Sequence, residues 1–229
     1  MKVIIFDIDN TLLSFDEYVK ISMKEGFEKF KIGTYKDEMY GVFCNINNSL
    51  WEAIERCEID FEELQKIRWN MIFKELGFNA DGIKFEKYFR ESLNHNAILI
   101  DGAEEIVKYL KDKYILCVAS NGPYNQQINR LKNCGLYSYF SDFFISEEIG
   151  SSKPSKSFFD ICIKRLNEKY GIINREEIMI VGDSVSSDMA GGINSGMKTC
   201  FYNPNNKKIP SDMRIDYNVK SLYDLKAIL

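Results

Sequence analysis

Asp7 and Asp9 stand two residues apart at the end of the apolar run Val3-Ile4-Ile5-Phe6. In an extended chain residues i and i+2 point the same way, so both carboxylates share one side of the strand end, and a tight turn at Asn10 keeps them close. Two adjacent carboxylates repel unless one takes a proton or a cation lies between them. A divalent ion with a preference for hard oxygens fits Asp7 together with Asp183. One carboxylate can then act as a nucleophile while the other handles protons. Three further stretches have matching chemistry. Ser120-Asn121-Gly122 offers a hydroxyl, an amide and flexible backbone suited to holding anionic oxygens, although a plain turn has the same composition. Lys153 precedes an expected helix N-terminus, a place that favours anions, where a solvated lysine is the ordinary alternative. Gly182-Asp183-Ser184-Val185-Ser186-Ser187-Asp188 brings two more acids, in a loop whose serines would also serve as helix caps.

The elements that must position these residues follow from periodicity. Val3–Phe6, Ile115–Ala119 and Ile178–Val181 are continuous apolar runs, the pattern of strands covered on both faces in a parallel sheet. They stop at Asp7, Ser120 and Asp183. Helical spacing appears over Ala103–Lys111, Gln126–Cys134 and Ser155–Tyr170, the last with Ser155 as N-cap and Pro154 just outside. Strand alternating with helix predicts an α/β fold on a parallel sheet, with ligands beyond the carboxyl ends of the strands. Residues 15–97 differ, with helical spacing over Tyr18–Phe30, Leu50–Cys57, Phe61–Leu76 and Phe85–Leu93. They hold 15 of the 31 aromatic residues and both tryptophans, enough for a core of their own. The expected organisation is a core of residues 1–14 and 98–229 and an inserted all-helical domain of residues 15–97. The crossings near Ser14–Asp16 and Asn94–Ile98 would be its hinge.

Composition excludes several classes. The 30 basic and 34 acidic side chains leave a net charge of -4 without a long basic run, which disfavours nucleic acid as a partner. No apolar stretch nears the roughly 20 residues of a membrane span, and Asp7 and Asp9 interrupt the N-terminal run before a signal-peptide core is complete. Cys44, Cys57, Cys117, Cys134, Cys162 and Cys200 show no metal-binding spacing and read as reduced thiols. A cytoplasmic protein, monomeric or homodimeric, is the expectation. The single histidine, His95, lies in a polar Asn94-His95-Asn96 stretch and reads as a solvated loop residue, so acid–base work falls to carboxylates.

Taken in order, the motifs resemble those of the haloacid dehalogenase-like (HAD) superfamily of phosphotransferases. The D-x-D-x-T-L motif is Asp7, Asp9, Thr11 and Leu12; the second is Ser120 with Asn121; the third is Lys153, with Pro154 and Phe159; the fourth is Gly182, Asp183 and Asp188. The resemblance implies a Rossmann-like core with a helical cap inserted after the first motif. It also implies roles: Asp7 as nucleophile, Asp9 as general acid and base, and Mg2+ held by the Asp7 side chain, the Asp9 main-chain carbonyl and Asp183. Thr11, Ser120 and Asn121 would contact the phosphoryl group, Lys153 would bind it and offset the charge of Asp7, and Asp188 would steady Lys153 or the metal waters. The substrate would be a small phosphate monoester.

Asp9 favours an oxygen leaving group, because in that superfamily dehalogenases and phosphonate hydrolases lack an acid at that place, whereas phosphomutases keep both. The segments Ile46–Trp51, around Arg68, and Phe201–Pro204 resemble the pyrimidine 5'-nucleotidase branch, although a glycine of that branch is missing near Cys57. That likeness makes a nucleoside 5'-monophosphate the expected substrate, with Asn47 and Trp51 as cap residues that would contact it. The alternatives are a sugar-phosphate or phosphoglycolate phosphatase, a phosphoglucomutase-like transferase, and a catalytically silent binding protein on the same fold.

Overall fold

Every residue of Val3–Phe6 is fully buried, and side chains along this strand alternate between two cores. Ile4 and Phe6 join Leu116, Val118, Met179 and Val181 on one face, while Val3 and Ile5 join Cys117, Ala119, Ile178 and Ile180 on the other. A strand buried on both faces needs no polar alternation, which is why the runs are continuous. The computed structural model describes residues 1–56 and 58–229; Cys57 lies outside the described residues. The chain forms two units, Met1–Ser14 with Ala97–Leu229, and Phe15–Asn96.

The first unit carries six strands, β1 (Val3–Phe6), β2 (Ile115–Ser120), β3 (Asp142–Ile145), β4 (Ile178–Gly182), β5 (Lys198–Tyr202) and β6 (Tyr217–Val219). All pair in parallel, in the order β3-β2-β1-β4-β5-β6. The order runs outward from β1 in both directions, so the switch point lies where β2, β1 and β4 are neighbours.

The described residues of the second unit form four helices, α1 (Phe15–Lys29), α2 (Met39–Glu55), α3 (Phe61–Glu75) and α4 (Gly82–His95). Of the segment predicted as a helix over Leu50–Cys57, Leu50–Glu55 form the C-terminal part of α2, and Cys57 lies outside the described residues. His95 closes α4 as an exposed residue rather than lying in a loop. Asp60 and Asp81 cap α3 and α4 by accepting from the amides of Glu63 and Lys84 at 2.8 and 2.9 Å. Phe27, Phe43, Trp69, Phe73, Phe85 and Phe89 pack edge to face and tilted at the centre, so this unit has its own aromatic core.

Helices α5 (Ala103–Leu110), α6 (Tyr124–Asn133), α7 (Ser146–Ile149), α8 (Lys156–Tyr170) and α9 (Ala190–Asn194) belong to the sheet unit. Ile106, Val107 and Leu110 of α5 and Leu131 of α6 join one core; Phe158, Phe159, Cys162 and Leu166 of α8 join the other. Ser155 caps α8 by accepting from the Phe158 amide at 3.3 Å. None of the helices in the described residues is long and apolar enough to cross a membrane.

Candidate active site

The pairing register assembles the site. Phe6 is opposite both Val118 of β2 and Val181 of β4, and the Asp7 amide donates to the Val181 carbonyl at 2.8 Å, so Asp7 extends the sheet between the ends of its two neighbours. The chain then turns sharply. Asn10 adopts φ +58°, a conformation asparagine tolerates better than most residues. The amides of Thr11, Leu12 and Leu13 converge on the Ile8 carbonyl at 3.4, 3.0 and 2.8 Å.

Lys153, only 2% exposed, is the hub. Its ammonium donates to Asp7 Oδ1 and Asp188 Oδ1 at 2.6 Å each and to the Ala119 carbonyl at 2.9 Å. The Asn121 amide holds the lysine by its backbone: Nδ2 donates to the Lys153 carbonyl and Oδ1 accepts from the Lys153 amide, both at 2.8 Å. Asp188 reaches the ammonium from a π-helical turn, Val185–Met189, with Oδ2 accepting from the Ser184 amide at 3.1 Å. Gly182 makes room for it, since a Cβ there would lie 2.2 Å from Asp188 Oδ2. Burial pushes the Asp7 carboxyl well above its ordinary range, against the pull of Lys153. Burial would lower the Lys153 pKa, but Asp188 and Asp7 outweigh it and hold the ammonium above its usual value.

Asp183 follows β4. Burial pushes its carboxyl up to about 6, opposed chiefly by Lys207, whose ammonium donates to Asp183 Oδ2 at 2.8 Å and to its carbonyl at 3.1 Å. Lys207 reaches it because buried Asn203 clasps the loop after β5, accepting from the Lys207 amide at 2.6 Å and donating to the Lys207 carbonyl at 3.0 Å.

Carboxylate oxygens of Asp7, Asp183 and Asp188 lie within 4.8 Å of one another. Asp7, Asp9, Asp183 and Asp188 outnumber Lys153, Lys207 and Arg130, the cationic side chains paired with them. An all-oxygen donor set with charge left over fits a hard divalent cation such as Mg2+.

Asp9 has partners of its own. Oδ1 accepts from Arg130 Nη1 at 2.6 Å and Oδ2 from Gln127 Nε2 at 2.7 Å; the same amide nitrogen donates to Ser120 Oγ at 2.7 Å. The two adjacent carboxylates therefore do not share one cation: Asp7 pairs with Lys153 and Asp9 with Arg130. Gln127, Arg130 and Lys207 are absent from the motifs read in the sequence. Gln127 and Arg130 sit three apart on the predicted helix, beside its apolar stripe of Ile128 and Leu131, which was the available signal. Lys207 left none.

The remaining expected contacts fall as follows. Thr11 is fully buried, and its hydroxyl has no hydrogen-bond partner among the described residues. Asn47 is buried within the helical unit, where its Oδ1 accepts from Arg68 Nη1 at 3.0 Å while Arg68 forms a two-pronged pair with Glu86 at 3.1 and 2.6 Å. Trp51 is half-buried against Phe61, ring centroids 5.7 Å apart.

A doubly wound parallel sheet with an acid cluster at its switch point and a helical cap inserted after the first strand is the plan of the haloacid dehalogenase-like hydrolases. The family's sequence model matches residues 4–202, and the chain belongs to this family. The chain is 32% identical over 228 residues to the HAD-hydrolase YfnB of Bacillus subtilis, covering 100% of this chain and 95% of that protein. The crystal structure of YfnB bound to magnesium superposes with a TM-score of 0.91 at 31% identity, covering 100% of this chain and 98% of that one. Pyrimidine 5'-nucleotidase PynA of Streptococcus pneumoniae is 29% identical over 228 residues, covering 98% and 93%. Pyrimidine 5'-nucleotidase YjjG of Escherichia coli is 29% identical over 226 residues, covering 99% and 96%.

Proposed function

We propose that the chain is a Mg2+-dependent phosphomonoester hydrolase that works through an aspartyl-phosphate on Asp7 and takes nucleoside 5'-monophosphates, pyrimidine ones preferred. The observation that carries the chemistry is Lys153 bridging Asp7 and Asp188 beside Asp183, with Ser120 on the neighbouring strand end. The Lys153 hydrogen bond falls on Asp7 Oδ1, leaving Oδ2 to attack phosphorus. A bond forms from Asp7 oxygen to phosphorus, the bond to the leaving oxygen breaks, and Asp9 delivers its proton to that oxygen. In the second step Asp9 takes a proton from water, which attacks phosphorus and releases phosphate and the Asp7 carboxylate. Ser120 binds phosphoryl oxygens throughout, while Lys153, whose three hydrogens are directed at Asp7, Asp188 and the Ala119 carbonyl, offsets the charge of Asp7 and reaches a phosphoryl oxygen only by giving up one of those bonds. Asp7, Asp183 and the Asp9 carbonyl would hold the metal, which supplies charge neutralisation for a dianion entering an acidic site.

The substrate class rests on the full-length similarity to PynA and YjjG and on the Asn47–Trp51 and Phe201–Pro204 segments. The test is a panel of nucleoside 5'-monophosphates, hexose phosphates and phosphoglycolate assayed for released phosphate with Mg2+. Nucleotides should lead by at least about tenfold in kcat/KM, a gap of about 1.4 kcal/mol. A clear preference for a sugar phosphate or phosphoglycolate would replace the substrate class and leave the aspartyl-phosphate chemistry standing.

A further inference from the structure

Gln127 and Arg130 are each 1% exposed, although neither belongs to an apolar stripe, and their polar atoms form a chain with a fixed direction. A guanidinium can only donate hydrogen bonds. Arg130 Nη1 lies 2.8 Å from Oε1 of Gln127, so the amide oxygen must face the arginine and the amide nitrogen must face outward. That nitrogen has two hydrogens, and two acceptors lie at 2.7 Å: Asp9 Oδ2 and Ser120 Oγ. Ser120 therefore accepts from inside the protein and has its own hydrogen free to donate to an anion. Arg130 closes the ring by donating to Asp9 Oδ1 at 2.6 Å, so both oxygens of that carboxylate are held from α6.

This arrangement is a poor one for stability. Arg130 Nε is buried with no partner among the described residues, and a buried, incompletely satisfied cation costs free energy that an apolar side chain would not. Gly122 also leaves space for the amide, since a Cβ at 122 would lie 2.7 Å from Gln127 Nε2.

We infer that Arg130 and Gln127 are positioning residues for phosphoryl transfer: Arg130 sets the orientation of the Asp9 carboxylate, and Gln127 ties that orientation to the hydrogen-bond polarity of Ser120. The inference rests on the proposed roles of Asp9 in proton transfer and Ser120 in phosphoryl binding.

The test compares p-nitrophenyl phosphate, whose leaving group needs little protonation, with uridine 5'-monophosphate, whose alcohol needs the proton. Arg130→Met should lower kcat on the nucleotide at least about tenfold more than on the aryl phosphate, with KM little changed, because orientation of the acid matters only where a proton is required. Arg130→Lys should restore part of that loss. Gln127→Leu should show the same split and in addition weaken competitive inhibition by inorganic phosphate, since the Ser120 hydroxyl loses its imposed direction. In an Asp9→Asn background, Arg130→Met should cost nothing further. Thermal denaturation should place Arg130→Met near the wild type; if it does not fold, Gln127→Leu and Arg130→Lys carry the comparison. Equal losses on both substrates, or full additivity with Asp9→Asn, would overturn the inference. Asp9→Asn by itself separates the two levels: if it shows no leaving-group split, the general-acid reading fails and takes the inference with it; if it does and the α6 variants do not, only the positioning role falls.

Discussion

At the scale of single residues, the site is a balance of buried charges, and its consequences can be measured. Asp7→Asn keeps size and shape but replaces the carboxylate proposed to attack phosphorus by an amide, so turnover should fall below detection while the folded state persists. Circular dichroism beside a phosphate-release assay checks this, and near wild-type turnover would rule Asp7 out as nucleophile. Asp183 gives a pH dependence. Burial holds its carboxyl at about 6 in the folded chain, above an ordinary aspartate, so the folded state binds this proton more tightly than the unfolded one. The contribution of Asp183 to stability should therefore fall as pH rises from roughly 4 to 6, by an amount on the order of 3 kcal/mol, and stay low above that window. If Asp183 is a ligand as proposed, Mg2+ takes its ionised form, so the stabilisation by Mg2+ should be large at pH 7.5 and small at pH 5. Melting curves with Mg2+ and with a chelator across that range test it; a Mg2+ increment independent of pH would count against Asp183 as a ligand. Asp7 and Asp183 stood out in the sequence because each follows an apolar run where a charge is costly, whereas Lys153, in a polar stretch, stood out as a cation before an expected helix N-terminus and through the family resemblance. Gln127 and Arg130 resembled the polar side of an ordinary helix. Lys207 lies in a loop that Asn203 clasps within reach of Asp183, a contact no local pattern announces.

At the scale of elements, legibility followed the continuity of apolar runs. β1, β2 and β4 lie at the centre of the sheet, covered on both faces, and their continuous apolar runs announced them. β3, β5 and β6 went unread. Asp142-Phe143-Phe144-Ile145 and Lys198-Thr199-Cys200-Phe201-Tyr202 begin with a charged residue, and Tyr217-Asn218-Val219 is a three-residue edge strand with two exposed members. The edge strands β3 and β6 bury less of their length, whereas β5 is buried at four of its five positions but opens with Lys198-Thr199, which breaks the continuous apolar run. Gly182, at the end of β4, links element to site. Gly182→Ala would drive a methyl to 2.2 Å from Asp188 Oδ2, displacing the acid that holds Lys153, and should cost about 1–3 kcal/mol together with most of the activity. Gly41, exposed in α2 with nothing within 4 Å of an added Cβ, is the control: Gly41→Ala should stabilise by about 0.5 kcal/mol and leave turnover unchanged. Chemical denaturation of both variants decides it. Equal effects at the two positions would mean the Gly182 contact is not tight.

At the scale of the whole molecule, the chain divides its labour between two units with different cores. The sheet unit is packed by aliphatic strands against helices and contains Asp7, Asp183 and Asp188; the helical unit is packed by aromatic rings and buries the Arg68–Glu86 pair, with Arg68 over the Phe89 ring. A site built only from phosphate- and metal-binding groups reads the phosphoryl group alone, so discrimination among leaving groups must come from residues outside it. Trp51 tests whether the helical unit supplies them. Trp51 is half-buried with its ring against Phe61, whereas the central aromatic residues of that unit are buried, so part of Trp51 stays accessible. Trp51→Ala should lower kcat/KM for uridine 5'-monophosphate at least about tenfold while changing p-nitrophenyl phosphate hydrolysis little, a difference of about 1.4 kcal/mol between the two substrates. If instead Trp51 serves only to pack against Phe61, both activities and the melting temperature should fall together, and base recognition would have to be sought elsewhere on the helical unit.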